Sequence, residues 1–298
     1  MHYKSLGNTE IKVSELALGA MSFPNDESAV RDIIDEAVAH GINYIDTADL
    51  YEKGLNETLI GKVIHEKRKN LVVATKVGNR FSQNKEGWEW GPSKDYILKA
   101  VEESLKRLNT DYIDLYQLHG GTLEDPFDEI VEAFELLKKQ GKIRYYGISS
   151  IRPAVIRKYA VSSDIVSVMT QYSLLDRRPE ESVLPLLEEH NISVMARGSL
   201  AKGLLVNKPP VTYLDYSDED VKRLQDVIRA VVKTDLTATS VALQFVLSHP
   251  AITSAVVGIR TTEQLTDVLA YLKSIRLTEK ERRAIASILP VNNYKEHQ

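Results

Sequence analysis

The chain of 298 residues contains no cysteine. Disulfides, thiol nucleophiles and cysteine-ligated metal sites are therefore excluded. The first residues lack a basic segment followed by a long apolar run. No apolar run approaches the ~18 residues that a membrane helix needs. We expect no signal peptide, no membrane contact and a cytoplasmic location.

Blocks of like charge are also missing. The 38 Lys and Arg residues nearly balance 42 Asp and Glu residues, which gives a net charge of -4. Because surfaces that bind nucleic acid are usually basic, we expect no nucleic-acid partner. No Pro/Gly/Ser-rich linker divides the chain, and its length suits one α/β barrel. We predict a single domain over residues 1–298.

Short apolar segments alternate along the chain with longer segments of helical periodicity. Segment 27–40, for example, places Val30, Ile33 and Ala37 on one stripe, and Pro92-Ser93 marks the start of a helix that runs to residue 108. Strands that alternate with helices predict parallel βαβ units, and eight such units predict a closed barrel. The eight predicted strands are 16–18, 44–46, 71–76, 113–119, 143–149, 165–171, 192–196 and 251–257.

The glycine-rich fingerprint GxGxxG is absent after the first of these strands. An open doubly wound sheet, the alternative fold, would carry it there to bind a dinucleotide. The turn reads Gly19-Ala20-Met21-Ser22-Phe23 instead, so we predict a (β/α)8 TIM barrel. Segments 2–6 and 11–14, joined through Gly7-Asn8, predict an N-terminal β-hairpin that closes the bottom of the barrel.

Polar residues end most of the predicted strands, and the C-terminal strand ends of a barrel meet at one mouth, where active sites lie. Each has an ordinary alternative: Asp46 could cap a helix, Lys76 could be exposed, and His119 could be a satisfied loop histidine. Tyr51 could be one packing residue among 14 tyrosines. Their joint placement favours a functional site. The strand-end residues are Gly19, Asp46, Lys76, His119, Ser149, Gln171, Arg197 and Gly258.

These residue types suit carbonyl reduction. A lysine ammonium beside a phenol stabilises the phenolate and lowers the phenol pKa from about 10. Such a phenol can protonate a carbonyl oxygen while hydride reaches the carbon. No side chain supplies hydride, so a nicotinamide is required. A metal-dependent hydrolase would need a cluster of His, Asp and Glu ligands, and with only Asp46 and His119 available we predict no metal site.

The segment Asp46-Thr47-Ala48-Asp49-Leu50-Tyr51, followed by Asn56-Glu57, resembles the DTAxxY…(S/N)E signature of the aldo-keto reductases. The resemblance covers nearly the whole chain. It also includes Lys76 in VVATKVG, segment 111–116 before Leu118-His119, Gly147-Ile148-Ser149-Ser150, Gln171-Tyr172 and Val257-Gly258-Ile259-Arg260 with Gln264. The chain is most similar to the bacterial general-stress and inositol-locus branch, which also resembles potassium-channel beta subunits.

This resemblance implies a catalytic tetrad in which Tyr51 is the acid/base, Lys76 paired with Asp46 tunes it, and His119 orients the carbonyl. It also implies NADP(H) as cofactor, with Arg260 on the 2′-phosphate; a rim salt bridge is the alternative for Arg260. Residues implied at the nicotinamide are Gly19, Ala20, Met21, Asp46, Ser149, Ser150 and Gln171. Residues implied at the pyrophosphate are Arg197, Gly198, Ser199, Leu200, Lys202 and Gly203, and those at the adenosine are Gly258, Ile259, Arg260 and Gln264.

The sequence departs from the family pattern at several of these positions. Ser150 replaces an asparagine, and Asp267-Val268 replaces an asparagine near the adenine. Arg197 replaces the aromatic residue that stacks on the nicotinamide, and its charge should disfavour NADP⁺ relative to NADPH. The pair Gly120-Gly121 replaces polar residues and should widen the substrate side of the mouth.

Two connections, 78–91 and 197–217, are longer than the rest, and long loops in a compact domain are usually functional or mobile. The first holds Trp88 and Trp90, the only two tryptophans. They either form the apolar wall of the substrate pocket or pack against the barrel exterior.

We therefore predict an NADPH-dependent oxidoreductase that reduces a small-molecule aldehyde or ketone. The alternative is a nucleotide-sensing regulatory or binding protein with slow turnover on the same scaffold, and the intact tetrad favours the enzyme. No exposed heptad or long apolar face argues for assembly, so we expect a monomer or a weak oligomer.

Overall fold

The computed structural model describes residues 1–81 and 87–296. Its strands are β1 (Tyr3–Ser5), β2 (Lys12–Ser14), β3 (Leu16–Gly19), β4 (Tyr44–Asp46), β5 (Val72–Val77), β6 (Asn79–Phe81), β7 (Trp88–Trp90), β8 (Ile113–Leu118), β9 (Ile143–Ser149), β10 (Ser167–Gln171), β11 (Ser193–Arg197) and β12 (Ile252–Gly258). Its α-helices are α1 (Glu27–Ala39), α2 (Leu55–Ile64), α3 (Lys94–Leu108), α4 (Phe127–Lys139), α5 (Pro153–Ser162), α6 (Val183–Glu189), α7 (Asp218–Val231), α8 (Ala238–Leu247), α9 (Thr262–Leu269) and α10 (Glu279–Ala286).

Eight parallel strands close into a barrel in the order β3-β4-β5-β8-β9-β10-β11-β12, with β12 paired to β3. The predicted (β/α)8 barrel is confirmed, and the open doubly wound sheet is excluded. The strand bounds agree with the predicted ones to within two residues, and His119 lies one residue beyond β8.

The barrel interior explains why the strands end in polar residues. Nearly every barrel strand contributes at least one buried residue to a single central cluster, which includes Tyr44, Ala74, Leu115 and Met195. Because side chains alternate between the two faces of a strand, the residue two positions later points into the barrel again, one layer higher. The residues of this upper layer are Gly19, Asp46, Lys76, Gln117, Gln171, Arg197 and Gly258.

The N-terminal hairpin of β1 and β2 closes the opposite end, as predicted. Leu6 and Val13 are fully buried in the central cluster. The Gly7 amide donates to Ser193 Oγ (2.7 Å) and Lys4 Nζ donates to the Ile252 carbonyl (2.7 Å), at the first residues of β11 and β12. Gly7 has φ = +56°, and a Cβ there would lie 2.6 Å from the Val166 carbonyl oxygen, so only glycine fits this turn.

Local sequence explains where the outer helices begin and end. Asp26 and Ser93 cap α1 and α3 by accepting backbone N–H groups, and Ser217 with Asp220 forms a capping box at α7. Asn109 ends α3 in the left-handed conformation. The helices pack their apolar faces on the outside of the barrel, which leaves its C-terminal mouth to the loops.

Both long connections lie at this mouth. Within 78–91, β6 and β7 pair antiparallel, and Trp88 and Trp90 lie on β7. Connection 197–217 contains a short 3₁₀ turn at Ala201–Gly203 and precedes α7. Within residues 1–81 and 87–296, no helix combines the length and the apolar character needed to cross a membrane.

Candidate active site

A buried ion pair lies at the centre of the mouth. Lys76 Nζ donates to Asp46 Oδ2 (2.5 Å), to the Thr47 carbonyl (2.8 Å) and to the Tyr51 hydroxyl (3.2 Å). Burial alone would lower the pKa of Lys76, but the Asp46 carboxylate and Tyr51 raise it above its ordinary value. Burial also raises the pKa of Asp46, and the Lys76 ammonium opposes that effect. Three acceptors around one ammonium fit a charged lysine.

Gln117 completes this pair and was not predicted. Its Nε2 donates to Asp46 Oδ1 (3.1 Å), so both carboxylate oxygens of Asp46 are hydrogen-bonded. The side chain is fully buried, and its Oε1 has no hydrogen-bond partner among the described residues. The signal in the sequence is its register, because it lies two residues after the interior residue Leu115.

Tyr51 is held at the mouth by a strained turn. It begins a 3₁₀ turn, Tyr51–Gly54, in which Glu52 and Lys53 adopt left-handed conformations (φ = +48° and +55°). Left-handed conformations are strained for residues other than glycine, and such strained conformations occur preferentially at functional sites. The Tyr51 ring also lies under Lys76, with Nζ 5.0 Å from the ring centroid.

The Asn56-Glu57 pair of the signature lies behind the site as a support. Asn56 accepts from Thr47 Oγ1 (2.6 Å) and donates to the Ala20 carbonyl (2.8 Å). Glu57 is fully buried and accepts from Thr75 Oγ1 (2.6 Å) and from Arg107 Nε (2.7 Å). These bonds tie α2 to the ends of β3, β4 and β5, which carry the buried pair.

His119 faces Tyr51 across the mouth. The two rings meet edge to face, with centroids 5.8 Å apart at 84°. The His119 amide donates to the Val77 carbonyl (2.7 Å), which fixes its backbone. Burial, with the charges of Lys76 and Arg197, lowers the pKa of His119 to about 3. The imidazole is therefore neutral at ordinary pH and can donate one N–H; its buried Nδ1 has no partner within the described ranges.

The predicted cofactor residues surround one cavity of about 1680 Å³. Ser149 and Ser150 are buried at the end of β9, and Gln171 pairs in register with Arg197 on the neighbouring strands. Ser150 Oγ already accepts the Arg152 amide (3.3 Å). Ala20 is the exception, because its side chain is fully buried in the outer core. Its two neighbours in the chain, Gly19 and Met21, do line the cavity.

The far side of the cavity is lined by the chain after β11 and by the residues around Arg260. Gly198 and Gly203 have φ = +72° and +91°, and they bend the chain after β11 around this space. Arg260 is exposed and makes no ion pair in the described part of the chain, so the predicted salt-bridge alternative is not observed. Its backbone N–H is taken by Gln264 Oε1 (2.9 Å), just before α9.

Trp90 forms part of the substrate side. Both tryptophans line the cavity, Trp90 half-buried and Trp88 56% exposed. The Trp90 ring lies against Gly120: a Cβ at Gly120 would be 3.2 Å from its Cζ3. The prediction that the glycine pair widens the mouth is therefore wrong at Gly120, because the indole fills that space.

The C-terminal segment also reaches the mouth, which the sequence did not indicate. Residues 293–296 line the cavity together with Tyr213 and Leu214 of connection 197–217. Tyr216 donates to the Pro290 carbonyl (2.7 Å), and Lys295 pairs with Asp215 (2.5 Å). The chain end thus packs on the loop that follows β11.

Across residues 1–81 and 87–296, no group of three or more His, Cys, Asp and Glu side chains could hold a metal ion.

The chain is similar in sequence and in fold to known oxidoreductases. Residues 15–290 match the sequence model described as "Aldo/keto reductase family". The chain is 49% identical to the uncharacterized oxidoreductase YqkF of Bacillus subtilis over 307 residues, covering 100% of both chains. Its fold superimposes on the holo form of aldo-keto reductase AKR11C1 from Bacillus halodurans with a TM-score of 0.93 and 48% identity, covering 100% of this chain and 99% of that one. It superimposes on glycerol dehydrogenase AKR11B4 from Gluconobacter oxydans with a TM-score of 0.84 and 26% identity, covering 99% and 98%. The chain therefore belongs to the aldo/keto reductase family and is an oxidoreductase that acts on carbonyl or alcohol groups.

Proposed function

We propose that this protein reduces small-molecule aldehydes or ketones to alcohols with NADPH, and that Tyr51 is the proton donor. The observation that carries the proposal is the buried Lys76 ammonium, which touches the Tyr51 hydroxyl at 3.2 Å while it is neutralised by Asp46 at 2.5 Å. Burying a charged group is costly even when it is paired, which favours a chemical role for this ammonium.

The residues at the mouth fit a nicotinamide dinucleotide. The cavity is large enough for an extended ligand, and hydroxyl and amide groups from Ser149 and Gln171 are available at one end. At the other end, the exposed Arg260 has no carboxylate partner in the described ranges and suits a 2′-phosphate. When bound, the nicotinamide would supply the hydride.

The chain's own residues would manage the proton. The Tyr51 hydroxyl donates its proton to the carbonyl oxygen as hydride reaches the carbon, which yields the alcohol and leaves a phenolate. Lys76 stabilises that phenolate, and Asp46 keeps the ammonium in place. The neutral His119 imidazole donates an N–H to the same carbonyl oxygen and orients it.

The decisive experiment compares wild type with Tyr51→Phe in NADPH oxidation with a panel of aldehydes. We expect kcat to fall by about 10²–10⁴-fold, since a positioned acid contributes on that order, while NADPH binding followed by fluorescence stays within about twofold. Tyr145→Phe is the matched control, because Tyr145 lies at the far end of the barrel and bonds Glu10. Full activity in Tyr51→Phe would refute the proposed donor.

The same assay separates the second candidate function, a nucleotide-sensing binding protein. If the wild-type protein binds NADPH but turns over no aldehyde, this result would favour the nucleotide-sensing function. Arg260→Ala tests the cofactor preference: NADPH binding should weaken about tenfold or more, since a charged hydrogen-bonded pair is lost, and NADH binding should not change. The cytoplasmic location and the monomeric or weakly associated state stay predictions from the sequence.

A further inference from the structure

Asp125 accepts three hydrogen bonds from two separate segments of the chain. It lies between β8 and α4, outside the catalytic signature. Its Oδ1 accepts from the Trp90 indole Nε1 (2.8 Å) and from Thr122 Oγ1 (2.9 Å), and its Oδ2 accepts from the Thr122 amide (2.7 Å). The carboxylate thus joins the loop after His119 to the β6–β7 hairpin, which is 35 residues away along the chain. Hydrogen bonds to an ionised carboxylate are stronger than neutral ones.

The Trp90 ring rests on two glycines. A Cβ at Gly78 would lie 2.7 Å from its Cζ3, and a Cβ at Gly120 would lie 3.2 Å from the same atom. Both glycines have positive φ (+130° and +141°), so a side chain would be strained at either position. Gly120 directly follows His119, and Gly78 follows Val77, whose carbonyl holds the His119 amide. The indole is therefore placed relative to His119 through the backbone.

The base of the hairpin is fixed by further hydrogen bonds. Gly91 N donates to the Gly78 carbonyl (3.0 Å), and the Tyr96 hydroxyl donates to the Asn79 carbonyl (3.0 Å). Asn79 Nδ2 also donates to the carbonyl of His119 (3.3 Å). With the backbone held, the remaining freedom of Trp90 is rotation of its side chain, and the bond to Asp125 removes it.

This bond also changes what the wall offers to a ligand. The indole N–H is the only hydrogen-bond donor of a tryptophan side chain, and Asp125 engages it. Trp90 therefore presents to the cavity an aromatic surface with no free donor. Such a surface favours apolar substituents of a substrate. A substrate hydroxyl group placed against it would lose its hydrogen bonds to water and gain none from the indole, which costs free energy.

We infer that Asp125 is a positioning residue that holds Trp90 as the wall beside His119, and that the pair selects carbonyl compounds with an apolar substituent next to the carbonyl carbon. This inference rests on the proposed carbonyl reduction. It adds a specificity determinant that acts on the substrate and leaves the cofactor and the proton donor unaffected.

The test is a double-mutant cycle with Trp90→Phe, Asp125→Ala and the double variant, assayed with benzaldehyde and with glyceraldehyde. Each single variant should lower kcat/KM for benzaldehyde about 5–10-fold, the equivalent of one lost hydrogen bond, mainly by raising KM. Activity with glyceraldehyde should stay within about twofold. Because both changes break the same bond, the double variant should be no worse than the poorer single variant.

Two controls separate positioning from loop damage. Thr122→Ala removes one donor to Asp125 and leaves the Trp90 bond, so selectivity should persist. Glu124→Ala removes an exposed neighbouring carboxylate and should change nothing. Equal losses with both aldehydes, or additive losses in the double variant, would overturn the inference.

Fluorescence gives a readout that needs no turnover. In a Trp88→Phe background, Trp90 is the only tryptophan, and adding Asp125→Ala should shift its emission to longer wavelength as the ring gains freedom and water. Unchanged emission would overturn the positioning role. If wild type reduces no aldehyde at all, the proposed function and the selectivity fail together, and the emission still decides whether Asp125 holds Trp90.

Discussion

The Asp46–Lys76 pair shows how a charge is stabilised inside the barrel. A buried ion pair gains stability only when its remaining donors and acceptors are also satisfied. Here the Thr47 carbonyl and the Tyr51 hydroxyl accept hydrogen bonds from the other two N–H groups of the Lys76 ammonium. Gln117 donates to the second carboxylate oxygen of Asp46. Gln117 therefore helps to keep Asp46 ionised and Lys76 pointed at Tyr51.

Replacing Gln117 by leucine tests this role. Gln117→Leu keeps a similar volume but removes the donor to Asp46 Oδ1, so the pKa of Asp46 should rise and Lys76 should be held less firmly. We expect kcat to fall about 10–100-fold, because a hydrogen bond to a charged group is typically worth about 1.5–3 kcal/mol, with little change in NADPH affinity. Gln140→Leu, on the exposed end of α4, is the control. Wild-type kcat in Gln117→Leu would show that the bond is not needed.

The charge of Arg197 bears on which form of the proposed cofactor the protein binds. It ends β11 beside Gln171 and is partly buried, and this burial lowers its pKa. A guanidinium next to the nicotinamide repels the positive charge of NADP⁺ but not neutral NADPH. Arg197→Trp should therefore tighten NADP⁺ binding about tenfold, the equivalent of 1.4 kcal/mol, and change NADPH binding less.

A second variant separates charge from stacking at this position. Arg197→Leu removes the charge and offers no aromatic face, so it should tighten NADP⁺ less than Arg197→Trp does. Fluorescence titration with each nucleotide measures both effects. Unchanged or weaker NADP⁺ binding in both variants would rule out charge repulsion.

Close backbone approaches hold in place the helices that support the site. Gly61 of α2 faces the end of α3, and a Cβ there would lie 2.5 Å from the Arg107 carbonyl oxygen and 2.6 Å from the Leu108 carbonyl carbon. Both contacts are with backbone, which cannot rotate away. The same helix carries Asn56 and Glu57, which brace β4 and β5.

Gly61→Ala should therefore push α2 away from α3. We expect a loss of about 1–3 kcal/mol in the free energy of unfolding, as for overpacking elsewhere, measured by urea denaturation. Lys62→Ala, at an exposed neighbouring position, loses only its ion pair with Glu27 and should change stability by less than about 1 kcal/mol. Equal stability of Gly61→Ala and wild type would mean that the two helices can separate at no cost.

The elements themselves follow closely from local sequence, whereas the contacts between distant loops do not. Alternating apolar segments predicted all eight barrel strands, and the strand ends brought Asp46, Lys76 and His119 to one mouth, as the structure confirms. Gln117 could not be predicted as a site residue because it lies inside an apolar strand, and only the closure of the barrel makes it face Asp46. The Trp90–Asp125 bond depends on how a hairpin folds over another loop, and no local pattern encodes that.

One buried carboxyl group, that of Asp49, links the stability of the protein to pH. Asp49 lies in the signature between Asp46 and Tyr51, and burial and then the nearby Glu57 raise its pKa to about 7, opposed by Arg107. The Tyr96 hydroxyl approaches its Oδ2 at 3.5 Å, and its Oδ1 has no partner among the described residues. In an unfolded chain an aspartate titrates near 3.9.

The sign of the effect follows from proton counting. Below about pH 4 both states hold the proton, and above about pH 7 both have lost it. Between these values the folded state keeps a proton on Asp49 that the unfolded state has released, so the contribution of Asp49 to stability falls as pH rises through this window. Asp49→Asn removes the titrating group and with it this loss.

Asp49→Asn should therefore gain stability relative to wild type as pH rises from 5 to 7.5, by on the order of 1–3 kcal/mol. Urea denaturation of both proteins at the two pH values measures the difference, and Asp111→Asn, an exposed aspartate, provides the control. Any effect of the amide on the free energy of unfolding that does not depend on pH, such as a weaker contact with Tyr96, cancels, because only the change in this free energy between the two pH values is compared. Parallel pH profiles for Asp49→Asn and wild type would mean that the Asp49 carboxyl ionises in the folded protein as readily as in the unfolded chain. In that case neither burial nor the nearby Glu57 would hold the Asp49 carboxyl protonated in the folded protein.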